Sequence, residues 1–596
     1  MANELLVSYE REYRRATLDY SGDASVWPRI RRACQDKSDQ CEISGASSVR
    51  LPWWTFLAAR SDIEFLAKRY NFAIRAGAGT EDKLSEAQDN TRQYVAAKTA
   101  QPTDNALLKR RLADAGFVRG LTEQQERNVA KLTALASGAS FSVPGAGKTT
   151  EALALYAYRR KPDSRLLVIC PKNAFAAWEE QLTECLPGEK QFERLRGGKA
   201  AIQRLLADKS PQKALLSYHQ LPNVINLIAD YIDQSHSFLF LDESHKIKRG
   251  FTGKIGNNIL SASELPRTKL IMSGTPMPNE IADLVPQFRF LFPEVPADED
   301  NVEEYIKPIY VRTTKDELNL PEVKHVLKRI PLRPSQHALY ELLRSEAARQ
   351  ARGMSARDRM LLRRAGQSAL RLLQLVTNPA LLSRVPFEHQ DLLADVLGEG
   401  DSPKLEYACF RARQLAFEGK KTIIWSSFVD NVELVAKRLV DLGAEYIHGG
   451  VDAGDEEEEG TREQKIKRFH EDENCFVLVA NPAACGEGIS LHTVCHNAIY
   501  LDRNYNAAQF LQSQDRIHRL GLRPNEITYV DILIAPNTID DSVQRRLDAK
   551  IRNMARVLDD KSLKVEPEVV DLDSDGFNSE DLADFITHLS DVSEDA

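Results

Sequence analysis

No two of the chain's eight cysteines stand in a Cys-x-x-Cys pair; they fall singly at positions 34, 41, 170, 185, 409, 475, 485 and 495. Such spacing gives no disulfide framework and fits a reducing compartment. His492, Cys495 and His496 approach zinc-like spacing, but close His/Cys spacing on its own is a poor zinc predictor, and a packing role is expected. No apolar run reaches roughly 18 residues and no signal peptide opens the sequence, so neither membrane insertion nor export is expected. Positive charge is missing from Val565–Ala596, which carries eleven Asp or Glu and no Lys or Arg. Set against the net charge of −8, this leaves the rest of the chain at +3. At 596 residues the chain is too long for one core and is expected to hold about three or four domains.

What is present begins with Ser142-Val-Pro-Gly-Ala-Gly-Lys-Thr149, which follows the apolar approach around Phe141 and opens a helix-forming run. Through Gly145, Ala146 and Gly147 and on to Thr149 and Thr150, successive backbone N–H groups and the helix N-terminus can cradle phosphate oxygens. Lys148 then reaches the β- and γ-phosphates. Further along, an apolar strand at Phe238–Leu241 runs into Asp242-Glu243-Ser244-His245. Thr149 and Asp242 are the expected Mg²⁺ partners, and Glu243 is left to orient and deprotonate the attacking water. An exposed charged turn would not explain why a hydrophobic strand ends in two adjacent carboxylates. The two segments together describe a nucleotide-hydrolysing site.

In the C-terminal half, Gln512-Ser-Gln-Asp-Arg-Ile-His-Arg519 places Gln512, Arg516 and Arg519 three or four apart, on one helical face. Two arginines there can clamp a γ-phosphate. Removal of an arginine finger typically costs about 10³ to 10⁵ in rate.

The sequence resembles the SNF2 branch of the superfamily 2 helicase-like ATPases, bacterial or phage type, over about residues 118–555. Leu121-Thr-Glu-Gln-Gln125 is similar to the adenine-reading Q motif, Leu167-Val-Ile-Cys-Pro-Lys-Asn173 with Trp178 to motif Ia, and Ser273-Gly-Thr-Pro276 to motif III. Val311-Arg-Thr-Thr-Lys315 and Leu372-Leu-Gln-Leu-Val-Thr-Asn-Pro379 resemble two segments specific to SNF2 proteins. Thr422-Ile-Ile-Trp-Ser-Ser-Phe428, Gly486-Glu-Gly-Ile-Ser-Leu491 and Asp515-Arg-Ile-His-Arg-Leu-Gly521 match motifs IV, V and VI, in the right order. Departures are Ser142 at the phosphate loop's usual first glycine, Leu522 at the motif VI glutamine, and Asn481-Pro482 at the Ser/Thr pair of motif V. Pro482 has no N–H, so a backbone contact to DNA at this position, of the kind the resemblance would allow, cannot form.

The resemblance implies an α/β chain of two RecA-like parallel-sheet lobes with a helical connector and a small N-terminal accessory domain. The expected boundaries are 1–105 for the accessory domain, 106–330 for the ATP-binding lobe, 331–400 for the connector, 401–555 for the second lobe and 556–596 for an acidic tail. Val49-Arg-Leu-Pro-Trp-Trp54, followed by a helix, resembles the small domains ahead of the motor in annealing-helicase-like SNF2 proteins. Strands are expected at Leu166–Cys170, Ala214–Ser217, Phe238–Leu241 and Lys269–Met272, then at Thr422–Trp425, Phe476–Ala480, Ala498–Leu501 and Ile527–Ile534. Eight arginines against two acids between Arg344 and Arg371 form either a phosphate-following face or a solvated one. Asp455-Glu-Glu-Glu-Glu459 reads as an exposed loop insertion.

The resemblance further implies ATP and Mg²⁺ as cofactors and translocation on double-stranded DNA. ATP would sit between the lobes, with Gln125 and the phosphate loop on the first, and Gly488, Arg516 and Arg519 on the second. Lys172, Asn173, Tyr218, Ser426, Phe428 and Asn481 match family positions near the DNA track. A cytoplasmic, nucleoid-associated location and a protein partner such as a nuclease are expected, because no nuclease, methyltransferase or chromatin-reading motif accompanies the motor. Two alternatives stand beside this reading: a strand-separating helicase on DNA or RNA, and a non-catalytic scaffold that keeps the fold. The SNF2-type segments oppose the first and the intact hydrolytic residues the second.

Overall fold

A computed structural model describes residues 3–10, 15–36, 41–233, 236–351, 359–452, 460–485, 489–523, 525–560 and 563. The tail from 564 onward, the acidic loop at 455–459 and Gly488 lie outside the described residues, as does residue 352–358 of the arginine-rich segment. The chain divides into two compact units, residues 1–277 with 281–313, and residues 278–280 with 314–596.

The first unit opens with a mixed sheet of β1 (Glu4–Glu10), β2 (Arg15–Ser21), β3 (Glu42–Gly45), β4 (Ser48–Pro52) and β5 (Ala73–Ala76), in the order β3-β4-β2-β1-β5. Strand β2 shows why it forms. Ala16, Leu18 and Tyr20 alternate with more exposed residues and join Trp27, Ile30, Trp53 and Phe56 in one core. The helix Thr80–Ala97 then brings Tyr94 against Phe288 and Phe292, with its hydroxyl donating to Tyr305 O at 3.0 Å.

The same unit holds a seven-stranded parallel sheet: β6 (Ser137–Ser140), β7 (Arg165–Cys170), β8 (Glu193–Arg194), β9 (Lys213–Ser217), β10 (Ser237–Asp242), β11 (Thr268–Met272) and β12 (Tyr310–Val311). Their order is β12-β6-β11-β10-β7-β9-β8. Near-continuous apolar runs such as Leu166–Cys170 are what a parallel sheet covered on both faces requires. These strands carry the first RecA-like lobe.

The second unit holds a six-stranded parallel sheet of β13 (Val323–Arg329), β14 (Lys421–Trp425), β15 (Glu445–Ile447), β16 (Val477–Ala480), β17 (Cys495–Tyr500) and β18 (Thr528–Ile534), in the order β13-β18-β17-β14-β16-β15. This is the second RecA-like lobe. Strand β13 corrects the expected end of the first lobe at 330. It pairs with β18 over its whole length, from Val323 opposite Thr528 to Arg329 opposite Ile534, and so covers what would be an exposed edge. The connector helices Pro334–Ala351 and Arg359–Thr377 also belong to this unit. Leu339, Leu343, Leu372 and Val376 share a core with Ile539, Val543 and Leu547, and the Tyr340 hydroxyl accepts from Ile539 N at 2.7 Å. Arg344, first of the arginine-rich run, is buried and pairs with Glu341 at 2.6 Å.

Candidate active site

In the first unit all seven strands of the second sheet run parallel, so the loops after β6, β7, β10 and β11 leave by the same edge. Only β11 separates β6 from β10, a distance of roughly 9–10 Å for two strand spacings. The phosphate loop follows β6 and the carboxylate pair ends β10.

Gly145 and Gly147 turn the loop with φ of +87° and +85°, where only glycine is unstrained. A Cβ on Gly147 would strike the Gln125 side chain. The helix Lys148–Arg159 follows, its first internal bond running from Glu151 N to Gly147 O at 3.1 Å. The amides of Thr149 and Thr150 precede that bond and have no intrahelical acceptor, as an anion cradle requires. Lys148 Nζ folds over the loop, donating to Ser142 O at 2.9 Å and Val143 O at 3.4 Å. Thr149 is half-buried. Thr150 is buried and gives its hydroxyl to Gln181 Oε1 at 2.9 Å, so only its amide remains for a phosphate. Gln125 Oε1 accepts from Thr122 N at 3.1 Å while Nε2 donates to Ala146 O at 3.1 Å. The side chain expected to read adenine therefore braces the phosphate loop.

Asp242 is held from three sides. Trp178 Nε1 donates to Oδ2 at 3.0 Å, Glu243 N donates to Oδ1 at 3.0 Å, and the Tyr218 hydroxyl donates to the main-chain oxygen at 2.7 Å. Burial, and then the adjacent Glu243 charge, pushes the Asp242 carboxyl up to about 6. Glu243 adopts the left-handed conformation with φ 54° and ψ 53°. Such backbone strain costs of order 1–3 kcal/mol and persists mainly at functional sites. Burial acts to raise the Glu243 carboxyl, but His245, whose Nδ1 lies 3.3 Å from Oε2, and the Lys148 charge outweigh it and hold the group below the usual range. One ionised and one raised carboxylate side by side is the division of labour that acid–base and metal-binding roles need.

Motif III supports both elements. His245 Nδ1 also meets Ser273 Oγ at 3.0 Å, and Ser244 Oγ donates to Gln287, which donates in turn to Pro276 O at 2.7 Å. A Cβ on Gly274 would lie 2.6 Å from Pro144 Cδ, so the loop rests directly on this glycine.

Beneath the loop lies a polar network that no motif announces. Glu151, fully buried, accepts from Asn128 Nδ2 and Ser140 Oγ, both at 2.7 Å, and Asn128 Nδ2 also reaches Thr313 Oγ1 at 2.9 Å. Burial pushes the Glu151 carboxyl up to about 7. Residues 311–313 form a strap along the loop: Phe141 N donates to Val311 O at 2.9 Å, Val143 N to Thr313 O at 3.1 Å, and Thr313 N to Ser142 Oγ at 3.0 Å. Ser142, at the position of the usual glycine, thus supplies the acceptor that the strap uses.

In the second unit the helix Ala507–Gln514 stops before the arginines, which corrects the expected single helical face. Arg516 N, Ile517 N and His518 N bond back to Ser513 O and Gln514 O in tight turns, and Leu491 N bonds Arg516 O at 2.8 Å, drawing the chain toward motif V. Arg516 is buried, with Nε donating to Gln512 O and Nη1 to Ile489 O, each at 3.0 Å. Arg519 is half-buried and, among the described residues, makes no hydrogen bond or ion pair. Burial lowers its guanidinium from the ordinary arginine value, opposed by the Asp515 charge.

The six residues expected near a DNA track divide by exposure. Lys172 is exposed, and Asn173 and Phe428 are half-buried. Tyr218, Ser426 and Asn481 are buried and direct their side chains inward. Tyr218 holds Asp242, Ser426 Oγ donates to Asp502, and Asn481 Nδ2 donates to Ser427 O at 2.8 Å while its Oδ1 caps Ala483 N at 2.9 Å. Cys495 gives its thiol to Lys421 O and Asn497 O within the second sheet. Asn128 and Glu151 are contributors that sequence reading does not single out, while Trp178 enters there only beside motif Ia and Lys315 only as the end of an SNF2-like segment, neither with a stated role.

The described residues fit Mg²⁺, since the Thr149 hydroxyl and the Asp242 carboxylate are the hard oxygen donors it takes, and the Thr149 hydroxyl has no hydrogen bond among the described residues. Among the described residues no helix is long and apolar enough to cross a membrane.

A model of the SNF2-related domain matches residues 137–304, and one of the helicase conserved C-terminal domain matches residues 408–521. The putative ATP-dependent helicase/translocase YwqA of Bacillus subtilis is 24% identical over 466 residues, covering 72% of this chain and 46% of that protein. The chromodomain-helicase-DNA-binding protein 1-like of Mus musculus is 24% identical over 439 residues, covering 68% and 46%. The chain thus spans about half the length of the curated relatives it matches. A solved SWI2/SNF2 ATPase core from Sulfolobus solfataricus, in complex with dsDNA, is 20% identical with a TM-score of 0.33, covering 79% of this chain and 97% of that one. The SNF2-related domain model thus falls within the first lobe and the helicase conserved C-terminal domain model within the second.

Proposed function

We propose that the chain is an ATP hydrolase that translocates on double-stranded DNA, remodelling protein–DNA complexes or powering a partner such as a nuclease in repair or anti-phage defence. The observation that carries this reading is the assembly of Lys148, Thr149, Asp242 and the strained Glu243 around one glycine-turned loop. Lys148 exchanges its two loop carbonyls for the β- and γ-phosphate oxygens, and the amides of Thr149 and Thr150 cradle them. Thr149 and Asp242 would hold Mg²⁺, which neutralises phosphate charge when bound. Glu243, kept ionised beside His245, orients the attacking water and accepts its proton. Arg519, which makes no hydrogen bond or ion pair among the described residues, stabilises the charge that develops on the γ-phosphoryl group. The relatives' names, a helicase/translocase and a helicase-DNA-binding protein, support DNA as the track.

ATPase assays with and without duplex DNA test the reading. Glu243→Gln is expected to keep nucleotide binding and to lower turnover by about 10² or more, whereas Lys148→Ala weakens nucleotide binding as well. A wild-type chain without DNA-stimulated hydrolysis, or a Glu243→Gln variant with normal turnover, overturns it. Release of a labelled strand from a duplex would instead assign strand separation.

A further inference from the structure

Only Thr314 separates the strap from Lys315. Residues 311–313 bond to residues 141–143 of the phosphate loop one after another in the first unit. Two residues later, in the second unit, Lys315 Nζ lies 2.6 Å from Asp515 Oδ1, with the Asp515 side chain only 2% exposed. Thr314 between them is fixed locally, its N donating to Glu317 Oε2 at 2.8 Å. The following segment continues along motif VI: Pro321 O accepts from His518 Nε2 at 2.8 Å, and His325 meets Gln514. Three consecutive contacts from residues 315–325 therefore back the turn that presents Arg519.

Asp515 has two cations within electrostatic reach, Lys315 and Arg519. A buried carboxylate takes whichever positive group can pair with it, because leaving it unpaired is costly. Lys315 takes it here, and Arg519 is left without a hydrogen bond or ion pair among the described residues.

We propose, resting on the ATPase reading above, that Lys315 is a positioning residue for Arg519: by occupying Asp515 it prevents that carboxylate from capturing the guanidinium, and so keeps Arg519 available to the γ-phosphate. The strap places this lysine two residues from Thr313, so the residue that frees the arginine is carried by the chain that secures the phosphate loop. Lys315 touches no reacting atom and acts only through Asp515.

Steady-state ATPase kinetics with duplex DNA, on folded protein judged by its melting temperature, test the proposal. Lys315→Met is expected to lower kcat by roughly 10- to 100-fold with the KM for ATP within about twofold, since nucleotide binding depends on the other unit. Asp515→Asn introduced alongside Lys315→Met restores kcat to within a few-fold of wild type, and Lys315→Arg retains it. Asp515→Asn alone, which leaves no carboxylate to capture Arg519, keeps kcat near wild type and serves where Lys315→Met does not fold. Wild-type kcat in Lys315→Met overturns the proposal. So does a loss that Asp515→Asn fails to restore, or an Asp515→Asn variant as inactive as Arg519→Ala. The outcome is separable from failure of the ATPase reading, which shows as a wild-type chain without hydrolysis or an Arg519→Ala variant with normal hydrolysis.

Discussion

Around the phosphate loop, Gln125, Lys148 and Ser142 all direct side-chain bonds into the loop or its strap, whereas after Gln514 the two arginines differ: Arg516 is tied to two main-chain carbonyls and Arg519 to nothing among the described residues. The loop is pre-formed by its own unit, and strain at Glu243 is sustained by the contacts around it. Arg519 is instead partly desolvated yet uncommitted, a state that stores attraction for an anion. The difference teaches where each cost falls. Changes in the loop disturb binding and folding together, while a change at Arg519 breaks no hydrogen bond or ion pair among the described residues and acts only on what the guanidinium can later bind.

Arg519→Ala is the largest test of that contrast. It is expected to lower DNA-stimulated turnover by about 10³ or more with an unchanged melting temperature. Arg516→Ala also loses activity but lowers stability by roughly 2–4 kcal/mol, because two buried charge-assisted hydrogen bonds disappear and leave carbonyls unpaired. Similar melting temperatures for the two variants would break the distinction between a structural and an available arginine.

A smaller effect sharpens the picture on the loop side. Trp178→Phe removes one donor to the Asp242 carboxylate, which raises further a group already pushed up to about 6. Near pH 6.5 more of the carboxyl is then protonated, and the Mg²⁺ concentration for half-maximal ATPase is expected to rise roughly tenfold, consistent with a charged hydrogen bond of about 1.5–3 kcal/mol. The gap to wild type narrows as pH rises and both carboxyls ionise. An unchanged Mg²⁺ dependence at pH 6.5 would reduce Trp178 to packing.

Legibility in the sequence followed apolar content. Strands such as Leu166–Cys170 and Thr422–Trp425 announce themselves by continuous Val, Ile and Leu, and the structure extends each by a residue at one end. Strand β6 does not, because Ser-Gly-Ala-Ser has no bulky side chain; Gly138 is needed where a Cβ would lie 2.9 Å from Leu132 Cδ2. Strand β13 alternates charge with Val323, Val326 and Leu327 and sits far in sequence from β18, so its pairing is a tertiary fact. At the site, Lys148, Asp242 and Glu243 are legible because their chemistry fixes residue type and spacing. The Glu151 and Asn128 network, the Lys315 to Asp515 pair and the inward turn of Tyr218, Ser426 and Asn481 depend on which neighbours fold against them, and no local pattern encodes that.

The smallest effect concerns the pre-formed character of the loop itself. Glu151 lies under the loop with burial as its dominant influence, offset in part by Asn128, Ser140, Lys148 on its own helix and Arg127 on the neighbouring helix Glu123–Ala134. Its carboxyl is raised to about 7, well above the usual value near 4.5. A raised folded value means that the folded state holds a proton the unfolded chain releases. The resulting stability is fully present below about pH 4.5 and is lost as pH rises through about 7, by at most about 3 kcal/mol at 1.36 kcal/mol per unit. Glu151→Gln keeps a neutral side chain of the same shape, able to accept from Asn128 at every pH. Thermal melting at pH 5 and pH 8 is therefore expected to show a wild-type decline that the variant shares only in part, the variant being the more stable of the two at pH 8. Equal declines in both proteins would mean that the buried carboxylate is stabilised in its charged form by Lys148 and Arg127, and that the loop is held by an ion network rather than by a neutral one.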